Sequence, residues 1–374
     1  MERVQKSSLL SDLKDKMIFL AGPRQVGKTW LSENLLKPYI YLNWDDEDDK
    51  RTILKKSWSR DTELIIFDEL HKRSKWKSWI KGIYDKEKNL PPILATGSAK
   101  MNIFRKGSDS LAGRYFLHRL YPFSIRELVL NGENSTDAMN NLLLTGGFPE
   151  PYLKNSEQYA KRWRKTHIER IITEDLMTLD KIHDISKVEL LIEFISQRVG
   201  KPVSYSSLAG DLSVSPHTIK KWITVLEELF IVFTIRPYAK RLQRSLVKEP
   251  KIYFYDIGRI PRENESERLE NLAAICLLKR AHFLEDTKGE TNTLYYVRDR
   301  EKREVDFLTT RDGKEEYLIE IKTSDETPSP SLKFAHKRFE AKETLQLVRD
   351  ISVAKNYENI KVVNFAQWLA ELEI

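Results

Sequence analysis

The sequence predicts an α/β chain of several domains that opens on a parallel sheet carrying a phosphate-binding loop. Three observations predict it. Over residues 1 to about 130, short apolar runs alternate with helical patterns, the signature of βαβ units. The first of these runs delivers Gly22-x-x-x-x-Gly27-Lys28-Thr29, and a later one delivers Asp68-Glu69. A length of 374 residues exceeds one ordinary core, so two or three domains of usual size are expected.

Composition sets the class. Hydrophobic residues at 40% and aromatics at 10% supply the cores, while 32% charged residues mark a soluble chain. The net charge of +7 allows polyanion partners without requiring them. The densest basic run is Arg236, Lys240, Arg241, Arg244, Lys248 and Lys251 against the single acid Glu249, which suits either phosphate contacts or a solvated face. The lone Cys276 lies in the apolar run Leu272 to Leu278, so it reads as core packing in a reducing compartment. No uncharged run approaches the roughly 18 residues of a membrane span, and no signal-peptide core is seen, which together predict a cytoplasmic protein with no membrane partner.

The expected strands of the first domain are Met17 to Ala21, Tyr39 to Asn43, Leu64 to Phe67 and Ile93 to Thr96, each ending in the small or polar residues where an open α/β sheet places its ligand. Gly22 to Thr29 follows the first strand and precedes a helical pattern, the context a P-loop needs. Its glycines let backbone N–H groups turn inward around phosphates, Lys28 reaches the β and γ oxygens, and the Thr29 hydroxyl ligates Mg²⁺. The cofactor-binding set is Gly22, Pro23, Arg24, Gln25, Val26, Gly27, Lys28, Thr29 and Trp30, with Ser98. ATP and Mg²⁺ are the expected cofactors. Asp68 would hold the metal through water, and Glu69 would orient or deprotonate the attacking water. The fourth strand ends in Thr96-Gly97-Ser98, where Thr96 or Ser98 could sense the γ-phosphate or merely cap a turn. Leu111-Ala112-Gly113-Arg114 places Arg114 where a neighbouring subunit's nucleotide could be reached, although an ordinary surface arginine fits the same spacing.

Together, Ala21 to Thr29, Tyr41-Leu42-Asn43, Phe67-Asp68-Glu69, Ala95-Thr96-Gly97-Ser98, Leu111 to Arg114 and Gly146-Gly147-Phe148-Pro149 resemble the archaeal- and bacterial-type AAA+ ATPases whose C-terminal domain has long been labelled as of unknown function. The resemblance covers nearly the whole chain. It implies a P-loop AAA+ ATPase domain over 1–130, a helical lid or linker over 131–186, a winged helix over 187–248, and an α/β restriction-endonuclease-like domain of the PD-(D/E)xK class over 249–374. It also implies self-association through the ATPase domain.

The residues of the later parts read compatibly. Val203 to Leu212 has the spacing of a short helix, and Ser215-Pro216 supplies an N-cap and an N1 proline for a second helix over His217 to Leu229. Ile219, Ile223, Leu226 and Leu229 would be its buried stripe, leaving His217, Thr218, Lys220 and Lys221 for a DNA groove or for protein contacts. Farther on, Val305-Asp306-Phe307-Leu308 carries one acid on a short strand, and Leu318-Ile319-Glu320-Ile321-Lys322 carries Glu and Lys on one face of another. In this D…ExK pattern Asp306 and Glu320 would converge on Mg²⁺, Lys322 would stabilise phosphate charge, and Glu270 on the preceding helix would complete the metal shell. A strand with one exposed polar face gives the same alternation. Two functions follow: an ATPase acting on double- or single-stranded DNA with a gated nuclease, or a nucleotide-controlled protein-interaction switch with a non-catalytic C-terminal domain.

Overall fold

The computed structural model describes residues 1–87, 90–97, 111–176, 184–239 and 248–374, and these form two compact units, Met1–Tyr121 and Pro122–Ile374. Ser98 and residues 240–247 of the basic run lie outside the described residues.

Unit 1 runs α1 (Lys6–Asp12), β1 (Met17–Ala21), α2 (Lys28–Glu33), β2 (Tyr39–Asn43), α3 (Glu47–Lys55), β3 (Leu64–Asp68), α4 (Trp76–Lys86), β4 (Ile93–Gly97) and β5 (Tyr115–Arg119). Its strands are all parallel in the order β2-β3-β4-β1-β5. Every residue of β1 is buried, because a central strand of such a sheet is covered on both faces. On one face Phe19 meets Trp76, and Phe67 meets Trp58 and Trp79, edge to face. The sequence pattern stops this sheet at four strands. The fifth, β5, is an edge strand whose partly exposed Tyr-Phe-Leu-His-Arg carries little apolar signal, and its buried His118 sits 2.7 Å from Asp12.

Unit 2 begins with α5 (Ile125–Leu130), α6 (Ser135–Thr145), α7 (Pro149–Lys154) and α8 (Glu157–Arg170), continues with α9 (Ile185–Ser196), α10 (Tyr205–Leu212), α11 (Pro216–Glu228), β6 (Val232–Pro237) and β7 (Lys251–Phe254), and then α12 (Glu265–Lys288). It ends with β8 (Asn292–Arg298), β9 (Glu304–Arg311), β10 (Lys314–Lys322), α13 (Pro330–His336), β11 (Glu343–Val348), β12 (Lys355–Tyr357), β13 (Ile360–Asn364) and α14 (Phe365–Ala370). One mixed sheet of order β12-β13-β11-β10-β9-β8-β6-β7 spans the unit.

Two features depart from the sequence pattern. The boundary drawn between 248 and 249 cuts through this sheet, since β6 pairs antiparallel with β7 and parallel with β8. The sequence pattern marks no strand after Lys322, yet beyond α13 Glu343–Val348 is a strand, buried from its second residue on and paired parallel to both β10 and β13. No helix among the described residues is long and apolar enough to cross a membrane.

Candidate nucleotide site and carboxylate cluster

The strand order builds the first site. β1 releases the P-loop, β4 lies beside it, and β3 lies beyond β4, so the ends of three parallel strands converge. At Gly22 a side chain is impossible: a Cβ there would stand 2.1 Å from the Leu120 carbonyl oxygen. Gly27, at φ 94°, holds the left-handed turn into α2. Lys28 is 8% exposed, and its ammonium donates to the carbonyls of Gly22 (2.9 Å) and Pro23 (2.7 Å) within its own loop. Those contacts park the charge where phosphate oxygens would recruit it. Trp30, half exposed, lies on α2.

Asp68 gathers the polar groups. Its carboxylate accepts from Thr29 Oγ1 (3.4 Å), from the Tyr41 hydroxyl (2.5 Å) and from the Thr96 hydroxyl of β4, its register partner. Glu69 follows in a left-handed conformation, φ 54°. Burial, reinforced by the charge of Asp68, pushes its carboxyl above the ordinary range against the opposing Lys72, Lys28 and Arg24. Its Oε2 is buried and accepts no hydrogen bond among the described residues, with His71 Nε2 at 3.5 Å and Lys72 Nζ at 3.6 Å.

Arg3 also belongs to this site. It is 4% exposed and donates to the carbonyls of Val26, inside the P-loop, and Tyr121. Neither Arg3 nor Tyr41 was assigned a role from sequence: a lone arginine in an amphipathic leader carries no signal, and only the pairing of β2 with β3 brings Tyr41 to Asp68.

A second cluster forms in unit 2 around the residues of the D…ExK pattern. Its centre is Lys251 Nζ, which lies 3.0 Å from Glu270 Oε1, 2.8 Å from Glu304 Oε1 and 3.6 Å from Asp306 Oδ1. Lys251 is fully buried, so it does not belong to the exposed basic run in which sequence counts it. The three carboxylates hold it charged against its burial, the reverse of what burial alone does to an amine. The Tyr253 hydroxyl donates to the same Glu270 oxygen at 2.6 Å. Gly200, at φ 74°, opens room for this carboxylate, since a Cβ would lie 2.5 Å from Glu270 Oε2.

The D…ExK residues lie near one another, Glu320 and Lys322 both within reach of the Asp306 charge and Glu270 meeting Asp306 across Lys251. Asp306 Oδ2 takes the Ile321 N–H at 2.8 Å, just past the last β9–β10 register pair, Ile319 with Phe307. Glu320 is held by Lys322 at 2.7 Å and by the Ser329 hydroxyl at 2.5 Å, apart from the Lys251 contacts. Among the described residues no group of three or more His, Cys, Asp or Glu side chains is arranged to hold a metal ion. Glu270 and Asp306 converge on the Lys251 ammonium.

Residues 14–129 match the AAA domain family. Over that segment the chain is similar to AAA domains. Residues 136–261 match one domain of unknown function (DUF8612) and residues 267–371 another (DUF4143), so the AAA domain is followed by two segments that are recognised but have no assigned role. Uncharacterized protein MJ1544 of Methanocaldococcus jannaschii is 22% identical, covering 94% of this chain and 83% of its own. Uncharacterized protein Rv2008c of Mycobacterium tuberculosis is 26% identical over 84% of this chain and 72% of its own. Among solved structures, Aeropyrum pernix ORC1 in complex with DNA aligns at a TM-score of 0.35 and 13% identity, over 75% of this chain and 94% of that one. A Thermotoga maritima RuvB variant aligns at 0.33 and 16%, over 62% and 89%. Scores this low carry no weight for partner or task.

Within the AAA domain, Arg114 stands just before β5 and grips Asp85 of α4 in the same chain through two bonds of 2.7 and 3.1 Å. In unit 2, His217, Lys220 and Lys221 of α11 are exposed, while Ile219, Trp222, Ile223, Val225 and Leu226 face the core.

Proposed function

We propose that the AAA domain binds ATP·Mg²⁺ and hydrolyses it. The observation that carries this reading is the buried Glu69 oxygen that accepts no hydrogen bond among the described residues, next to an Asp68 carboxylate that accepts from the P-loop Thr29. The site's oxygen donors fit Mg²⁺, a hard cation that takes hydroxyl, carboxylate and water oxygens. Thr29 and Asp68 would hold it, and the bound ion would offset charge developing on the phosphates. Lys28 leaves the carbonyls of Gly22 and Pro23 for phosphate oxygens. Glu69 orients the attacking water and accepts its proton, and Thr96 keeps Asp68 turned toward the loop. Lys28→Ala should abolish ATP binding, and Glu69→Gln should bind ATP yet turn over roughly 10² to 10⁴ times more slowly. Retained turnover in Lys28→Ala would end this reading.

Turnover serves a task of unit 2, and we place DNA contact on α11. The order α9, α10, α11, β6, β7 supports a winged-helix reading, with Ser215 and Pro216 capping the helix that exposes His217, Lys220 and Lys221. If these residues face phosphates, log affinity for DNA falls steeply with log salt, and each lysine removed lessens the slope by about 1. A flat salt response would move the reading to a nucleotide-controlled protein-interaction switch. The burial of Lys251 favours that second reading for the C-terminal strands, because it removes a base from the expected basic run and places it among the carboxylates of the D…ExK pattern.

A further inference from the structure

We infer that Lys251 is the resident cation of the D…ExK cluster, so that these strands form a metal-independent charge lock and carry no divalent-metal phosphodiesterase centre. The contacts determine what the cluster can hold. A magnesium ion takes six oxygens at about 2.1 Å in near-octahedral order and keeps several waters. In this cluster the point shared by Glu270, Glu304 and Asp306 is filled by an ammonium at hydrogen-bonding distance from Glu270 (3.0 Å) and Glu304 (2.8 Å), with Asp306 in ion-pair range at 3.6 Å. Two cations cannot occupy that point together.

Lys251 also has no route out. Its backbone lies in β7, registered against Ile235 of β6 and bridged to Pro202, and its side chain is fully buried. The other oxygens are engaged as well. Asp306 Oδ2 caps the Ile321 N–H, and Glu320 is taken by Lys322 and Ser329. Arg298 approaches Glu304 at 3.6 Å, giving the three acids a second counter-charge. The charges therefore join β7, β8, β9 and α12.

The test uses the 374-residue chain without nucleotide. Its unfolding midpoint is measured with EDTA, Mg²⁺ or Mn²⁺, beside Lys251→Met and Lys251→Met/Glu270→Gln, and DNA cleavage is assayed in the same ions with and without ATP. The wild-type midpoint should ignore Mn²⁺, and no cleavage should be seen. Lys251→Met, which leaves buried carboxylates uncompensated, should lower the midpoint by roughly 10 °C, and adding Glu270→Gln should recover part of that loss. If either variant fails to fold, the wild-type measurements decide alone. Stabilisation of the nucleotide-free wild type by Mn²⁺ that disappears in Asp306→Asn, or cleavage that disappears in that variant, would overturn the inference while leaving the ATPase reading untouched.

Discussion

The Thr96 hydroxyl at the end of β4 donates to Asp68 at the end of β3, where the two residues are register partners. β4 separates β3 from the P-loop strand, so this bond sets the carboxylate toward Thr29 across the intervening strand. Thr96→Val removes one hydrogen bond to a charged group, worth about 1.5 to 3 kcal/mol. Turnover should fall roughly 10- to 100-fold with the Mg²⁺ requirement shifted upward, and Thr96→Ser should restore both in steady-state assays.

Gly22→Ala places a methyl against the Leu120 carbonyl, at 2.1 Å with the backbone unmoved. The loop or β5 must shift, so nucleotide affinity should be lost while unit 2 keeps its structure. Equilibrium nucleotide binding together with far-UV circular dichroism reads both.

Arg114 is held by Asp85 through a partly exposed pair that solvent screens, so opening it costs little. Should Arg114 act on a neighbour's nucleotide, Arg114→Ala lowers turnover by about 10³. Asp85→Asn leaves turnover intact, and mixtures with wild-type subunits depart from additivity.

Glu227 on α11 accepts from both the N–H and the hydroxyl of Thr234. Burial nevertheless raises its carboxyl above the ordinary range. A raised native value means the folded state binds the proton more tightly, so this group's contribution is full below the unfolded carboxyl's range and is lost as pH rises through the native value. Glu227→Gln should flatten that part of the stability profile in denaturant titrations across pH.

Arg280 and Glu316 are both buried and meet through two bonds of 2.7 Å between α12 and β10. Arg280→Met strands the carboxylate and should cost about 3 to 5 kcal/mol, whereas replacing both with apolar residues should cost far less. Chemical denaturation of the single and double variants separates the two.

Much of the AAA domain was legible because its signals are local. A buried strand of five apolar residues, a glycine spacing and an adjacent acidic pair each lie within a few positions, and their chemistry follows from residue type. The same holds for the capped helix at Ser215-Pro216. β5 and β11 were missed for the opposite reason: an edge strand needs little apolar content, and Glu343–Val348 becomes a strand through its two parallel neighbours.

The sequence by itself determined that a P-loop precedes a helix, that Asp68-Glu69 ends a buried strand, and that Glu320 and Lys322 have period-two spacing on one strand while Asp306 sits on another. Only the tertiary structure decided what those groups face. Strand order brings Tyr41 and Thr96 to Asp68, and the β6–β7 pairing brings Lys251 from outside the motif to Glu270, Glu304 and Asp306. Spacing along a strand dictates which side chains share a face; the ion they meet across the sheet depends on neighbours distant in the chain, and a buried lysine reads in sequence like any surface base.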